Sequence, residues 1–480
     1  MTPILLLEIN EVPWRLLDRY LQDEAYPNLR RCFGGAVSFT TLATDTGELS
    51  PWVTWPTLHR GMNNERHGVL NLGQDPSTFR GVPIWAEIRQ RGGNVGVCGS
   101  MQSWPPVDPG PGGFYIPDTF AHDSQCIPAR VEPFQAFNLG QVGRNARVVD
   151  KQVPKPIEAL RVVSSALRSG VRLGTLARTV SQIVAERFDG DRAKRRPVFQ
   201  TILFWDVFRD LFRAGPPPAF STFFTNHVAG VMHRYWHDVF PEDFEDAEGR
   251  RGPPPSGQEP LMRFALQVLD EMLAEVIAWT EAHPDLVVVY ASSMGQHAVR
   301  NEAHEGVELI VDDLARLMKA AGVDAGQFSP LLAMVPQVAV DIPDAGLRAT
   351  ARVLLEGATT LDGHRFITVQ ELGTSHSITV GTPRRAAIDL GACRIGGRQA
   401  AWQELGVRPQ EVEAGSAYHI PEGSFAFFGQ KVKAGDAPAR ALVRADQIKD
   451  WLLRISADGP AEVQRPPVPE TARERELEGA

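Results

Sequence analysis

The chain is poor in cysteine and has no long apolar run. Its four cysteines, Cys32, Cys98, Cys126 and Cys393, are scattered over 480 residues without a CxxC spacing, which excludes a disulfide framework and a thiolate zinc site. No stretch of 18 apolar residues occurs, so no transmembrane helix is expected. The opening run Ile4-Leu5-Leu6-Leu7 is too short for a signal-peptide core and no basic segment precedes it, so a cytoplasmic location is the expectation. Basic residues are in deficit, with 49 Lys and Arg against 58 Asp and Glu and a net charge of -9. That balance argues against a general nucleic-acid binder. Apolar residues are few from about Ser456 onward, and the charged, Pro-rich stretch 456–480 is expected to be a disordered tail.

What is present alternates. Ile4–Ile9 reads as a buried strand, Leu16–Cys32 has helical spacing, and Val82–Arg91 reads as a helix that stops at Gly92-Gly93 before a strand over Asn94–Gly99. The amphipathic stretch Leu261–His283 precedes the clearest buried strand, Leu286–Ala291. Strands alternating with helices predict an α/β fold with a parallel sheet and helices on both faces. The helical pattern of Ile157–Arg187 is rich in Arg and poor in carboxylates, which sets residues 127–197 apart as a helical insertion. The α/β core is then 1–126 and 198–455. A basic amphipathic helix is most often a solvated face, and it can also make peripheral contact with a membrane surface or collect anions.

The most informative stretch runs from Ser50 through Thr54-Trp55-Pro56 and Gly61 to His67-Gly68. Pro suits the first turn of a helix, so Thr54 is expected at a helix N-terminus, where free N–H groups favour an anion. A hydroxyl at an anion site fits a phosphoryl- or sulfuryl-transfer nucleophile, although Thr is also a common cap. In an open α/β sheet ligands bind beyond the carboxyl ends of the strands. That rule singles out Glu8-Ile9-Asn10-Glu11 and Ala291-Ser292-Ser293-Met294-Gly295, with His-containing segments at His227–Trp236 and Tyr418–Gly423.

Together these segments resemble the alkaline phosphatase superfamily, most closely its type I phosphodiesterase/nucleotide pyrophosphatase branch. Thr54-Trp55-Pro56 through Gly61 to His67-Gly68 resembles the family's Thr-Phe-Pro block, and Tyr26-Pro27-Asn28-Leu29 its Pro-Asn-Leu helix. Gly92–Pro106, His233-Arg234-Tyr235-Trp236 and His419 to Gly423 resemble three further family segments. The resemblance implies a three-layer α/β/α sandwich with a mostly parallel central sheet and a helical insertion. It also implies a threonine nucleophile and two zinc ions shared by six Asp and His ligands.

The chain departs from that ligand set. Asn10 stands where the family has its first Asp, Ser293-Met294 where it has Asp-His, and Ala229 where it has the Asp before His233. Glu8 or Glu11 could stand in for the first carboxylate. The expectation is therefore at most one divalent metal, zinc or manganese, on His233 and His419 with His227 as a third candidate; a site without metal is the alternative. Six residues of unbroken helix set His227 about 120° from the face of His233, so their pairing would need a helix start or bend. The expected function is a divergent, phosphodiesterase- or sulfatase-like hydrolase or transferase of small-molecule phosphate or sulfate esters. Thr54 would be its nucleophile, with Asn10 in the same pocket. The contrasting expectation is a catalytically inactive pseudoenzyme that keeps an anion-binding pocket as a binding or regulatory module.

Overall fold

The computed structural model describes residues 1–467 apart from 73, 143–162, 246–254, 300–305, 332, 334–336, 373, 382–390, 413–414 and 434–438. Its centre is an eight-stranded sheet. Ten strands position the site: β1 (Ile4–Ile9), β2 (Val37–Leu42), β3 (Val95–Cys98), β4 (Phe114–Ile116), β5 (Phe220–Thr225), β6 (Val287–Ala291), β7 (Gly295–Ala298), β8 (Ala417–Ile420), β9 (Glu422–Phe428) and β10 (Ala441–Arg444). The sheet order is β10-β2-β9-β6-β1-β5-β3-β4. All its pairings are parallel except those of β9 with β2 and β6.

β1 is buried along its whole length, which is why it is an apolar run without polar alternation. Successive side chains of a strand point to opposite faces, and β1 divides its residues accordingly. Leu5, Leu7 and Ile9 join one apolar cluster, Ile4 and Leu6 the other. The first layer is built on α1 (Trp14–Leu21), α2 (Pro27–Gly34), α8 (Arg196–Phe212), α9 (His227–Val239) and α10 (Glu259–Ala282), through Leu17, Leu29, Phe208, Met232 and Leu269. The second is built on α3 (Pro51–Arg60), α5 (Ile84–Gln90) and α11 (Ala445–Asp458), through Trp55, Ile88 and Trp451. A short α4 (Asn64–His67) follows α3. This is the three-layer α/β/α sandwich expected of the chain.

The expected helical stretch Leu16–Cys32 is two helices, α1 and α2, because the chain turns at Asp23–Tyr26 and restarts at Pro27, with Pro in the first helical turn. Within 127–197 the described residues include α6 (Glu132–Val142) and α7 (Leu173–Ala185); 143–162 lie outside the described residues. Residues 306–412 add a further unit. Its outer strands Gly306–Val311 and Val407–Val412 pair antiparallel, and it has its own core of Leu309, Val340, Ile378 and Trp402. It enters and leaves between β7 and β8, which pair with Gln296 opposite His419. At the other end of the chain, α11 runs to Asp458 and a 3-10 turn over Pro460–Gln464 buries Val463. Order thus continues past Ser456, and 468–480 lie outside the described residues.

Candidate active site

Three neighbouring parallel strands deliver polar residues to one sheet end. In register, Ile9 lies beside Thr225 and Glu8 beside Ala291, so Asn10, Asn226 and Ser292-Ser293 follow the carboxyl ends of β1, β5 and β6. Buried Asn10 is the hub. Its Oδ1 accepts from Trp55 Nε1 at 2.8 Å, and its Nδ2 donates to Glu11 Oε1 at 2.7 Å and to Asn226 Oδ1 at 2.6 Å. Asn10 is thus a hydrogen-bonding centre that fixes Glu11 from one side and α3 from the other.

The placement of Thr54 differs from expectation. Helix α3 begins at Pro51 with Ser50 as its N-cap, and Pro56 falls inside it. The Thr54 N–H is already bonded to the Ser50 carbonyl at 3.0 Å, so no free helix-terminal N–H group is offered there. Ser50 is extended, with φ -147° and ψ 145°, the backbone expected of a residue before proline. The Thr54 side chain is fully buried, and its Oγ1 shares a 2.7 Å hydrogen bond with Ser293 Oγ. The helix is pinned below by a relay. The Val69 N–H donates to His67 Nδ1 at 2.9 Å, which leaves the His67 Nε2–H to donate to Thr57 Oγ1 at 3.0 Å, and Thr57 donates to Asp45 at 2.5 Å.

Glu11, His233 and His419 converge. Glu11 Oε2 lies 2.9 Å from His233 Nε2 and 3.3 Å from His419 Nε2, and Gln296 donates its Nε2–H to the same oxygen. His233 Nδ1 donates to the Ala417 carbonyl at 3.0 Å and His419 Nδ1 to the Leu49 carbonyl at 2.6 Å. These bonds fix both tautomers. A neutral imidazole that donates from Nδ1 carries a lone pair on Nε2, so two lone pairs face one carboxylate oxygen. That arrangement needs protons or a cation between the three atoms. The electrostatics agree. Burial pushes the Glu11 carboxyl up, but His419 and His233 outweigh it and hold it well below the usual range. Burial pulls His419 down, but the Glu11 charge and hydrogen bond lift it above the usual imidazole value. The three ligand atoms lie within 4.8 Å of one another, and imidazoles whose second nitrogen donates to a carbonyl are characteristic of metal ligands.

Glu11 was named in the sequence only as one of two stand-in carboxylates. It reaches the histidines because its φ is 60°, a left-handed conformation usually left to glycine. The other stand-in, Glu8, is buried against His59, with Oε1 2.7 Å from Nε2. Glu8 Oε2 and His59 Nδ1 have no partner among the described residues. His227 does not join the cluster. It is the first residue of α9, its Nδ1 meets Thr225 Oγ1 at 2.7 Å and its Nε2 donates to the Ala265 carbonyl of α10 at 3.1 Å. Burial lowers it to about 4, so it is neutral in the fold and fully occupied in packing α9 on α10. A cavity of about 450 Å³ lined by Arg209, Phe212, Arg213 and Trp279 opens near the starts of β5 and β6, at the opposite sheet end, and holds none of these groups.

No family model and no curated protein matches the chain. Among solved structures, murine ectonucleotide pyrophosphatase/phosphodiesterase 5 is similar over 95% of this chain and 95% of its own, at 11% identity and a TM-score of 0.42. The human protein of that name gives 10% identity and a TM-score of 0.43, again over 95% of both chains. Phosphonoacetate hydrolase from Sinorhizobium meliloti, in complex with phosphonoformate, gives 11% and 0.40 over 95% of this chain and 96% of its own.

The two-zinc set that the resemblance implies does not fit these residues. Where the nucleophile's metal would need an Asp and an Asp-His pair, the chain has Asn10, committed to three hydrogen bonds, and buried Ser293 and Met294. One metal does fit. Glu11, His233 and His419 offer a carboxylate and two oriented imidazoles, a donor set suited to zinc.

Proposed function

We propose that the chain hydrolyses or transfers small-molecule phosphate or sulfate esters, in the manner of a phosphodiesterase, with one divalent metal held by Glu11, His233 and His419. The carrying observation is the pair of Nε2 atoms turned onto one carboxylate oxygen beside the end of β1. Zinc or manganese bound there supplies positive charge to ester oxygens. Thr54 is the candidate nucleophile. Ser293 orients its hydroxyl, and the chain Trp55–Asn10–Glu11 ties the helix that carries it to the metal ligands.

A second reading is a catalytically inactive module that binds anions at this sheet end. It is favoured by one observation: Thr54 is fully buried and, among the described residues, its hydroxyl is bonded to another hydroxyl, Ser293, rather than to a base. A screen of an aryl phosphodiester, an aryl phosphomonoester and an aryl sulfate, with and without added zinc or manganese, separates the two. Metal-dependent turnover that Thr54→Ala abolishes supports the first reading. Turnover unaltered by Thr54→Ala ends the nucleophile role, and no turnover by metal-loaded protein leaves the binding module.

A further inference from the structure

Helix α7 is turned inside out. A helix on a soluble protein normally buries its apolar stripe and exposes its polar side. Along α7 the buried residues are polar, Thr175 and Gln182, and Gln182 is tied inward by bonds from Nε2 to Glu186 and to the Arg192 carbonyl. Leu176 packs partly against the core, but the other long apolar residues face out. Leu173 is 72% exposed, Val180 55%, Val184 50% and, just past the helix, Phe188 87%. With Ala177 they fall at spacings of four, three, four and four residues, which places them on one stripe. The same segment reverses the charge of the chain. From Ser164 to Arg196 there are eight Lys and Arg against three Asp and Glu, in a protein whose net charge is -9, and of the eight Arg172, Arg178, Arg192, Lys194 and Arg196 are already ion-paired. Arg187, beside Phe188, and Arg168, which precedes the helix, are exposed, and their side chains make no ion pair among the described residues.

We propose that this face docks on an anionic lipid membrane, with α7 lying in the plane of the interface and Phe188 and the Leu173–Val184 stripe entering it. An outward apolar stripe that ends on the exposed, unpaired Arg187 fits that surface because acyl chains take up the stripe while acidic headgroups meet the guanidinium group. A purely polar protein partner would leave the apolar stripe uncovered. The contact is peripheral. No helix among the described residues is long and apolar enough to cross a membrane.

Cosedimentation of the full chain with phosphatidylcholine vesicles, alone or with about one third phosphatidylserine, tests this. Binding is expected only with phosphatidylserine, and it should fall between roughly 0.05 M and 0.5 M salt as the headgroup charge is screened. The double variant Val180→Asn/Val184→Asn should weaken the partition on the order of tenfold through lost apolar burial. Arg187→Gln should weaken it about fivefold at low salt. Both substitutions are on exposed positions, so an unchanged thermal melt confirms that the fold is intact. Absence of binding at low salt overturns the proposal, and so does equal binding by the Val180/Val184 variant. If the chain instead dimerises without lipid and that variant abolishes the dimer, a second copy covers the face and the lipid assignment fails.

Discussion

Glu11 and His233 meet through a 2.9 Å contact between Oε2 and Nε2, although one residue sits in the turn after the first strand and the other stands on α9, which follows a different strand of the sheet. The contact depends on a carboxylate at a backbone position with φ 60°. An L-residue held there costs roughly 1 kcal/mol or more relative to glycine. That backbone position carries the carboxylate that pairs with both His233 and His419.

Metal content follows from this contact. Purified protein is expected to carry zinc or manganese at no more than about one per chain, since three oriented ligands make one site. Glu11→Gln or His419→Ala should remove it, as read by elemental analysis after gel filtration. A stoichiometric pair of metals per chain would contradict the single-site assignment.

Trp55 acts at one remove. Its indole N–H is the partner of Asn10 Oδ1 at 2.8 Å, and Asn10 in turn orients Glu11. Trp55→Phe keeps the apolar packing and leaves a buried carbonyl oxygen without that donor, at a cost of about 1–3 kcal/mol in stability. Metal affinity, measured by competition with a chromogenic chelator, should fall roughly 10- to 100-fold, the usual effect of losing an outer-shell bond. An unchanged affinity would separate Asn10 from the metal site.

These two residues also show where sequence reading stops. Strands β1 and β6 and helix α10 were legible because a strand buried on both faces is an apolar run and a long amphipathic helix has a period. His233 and His419 were legible as motif remnants. The start of α3 was not, because Ser50-Pro51 and Thr54-Trp55-Pro56 both carry the signal of a proline entering a helix, and the first one wins. Nor did any local pattern show that Glu11 would take a glycine-like backbone and turn its carboxylate to His233, while His227 would turn to Ala265. Side-chain direction after a strand end depends on φ, which a glutamate in sequence does not announce.

The buried pair Glu8–His59 should be a stability element. Both side chains are almost without exposure, and Trp55 stacks on the imidazole at 5.7 Å between ring centroids. His59→Ala leaves Glu8 without its partner in an apolar layer, with an expected loss of about 3–5 kcal/mol in urea unfolding. The double variant Glu8→Leu/His59→Leu should recover much of that loss. Equal destabilisation by single and double variants would mean that packing, rather than the pair, is at stake.

Acid stability should report on His227. Burial holds both His227 and His67 down to about 4 against the usual imidazole value of 6.5. Between those values the unfolded chain binds protons that the folded protein refuses, so this contribution is complete above about 6.5 and is lost as pH falls toward about 4. Asp45 and Asp118, raised by burial to about 6 from 3.8, act in the other direction, losing stability as pH rises through that range. A variant isolates one group from this sum. His227→Gln should be less stable than the parent at pH 7, and the gap in melting temperature should narrow as pH falls from 6.5 to 4. A gap of constant size across that range would show that His227 does not titrate with folding.

The order of strands has a consequence for synthesis. β2 spans Val37–Leu42, yet its two neighbours in the sheet are β9 and β10, which begin at Glu422 and Ala441. β2 is therefore made about 380 residues before β9 and waits with both hydrogen-bonding edges bare until β9 and β10 leave the ribosome. Such long-delayed pairing slows folding and leaves open edges that other chains can occupy. A ribosome stalled in the unit between β7 and β8 would leave a protein with six of the eight sheet strands and β2 unpaired, holding Glu11 and His233 but not His419. Such a fragment would be prone to aggregate before it could bind anything.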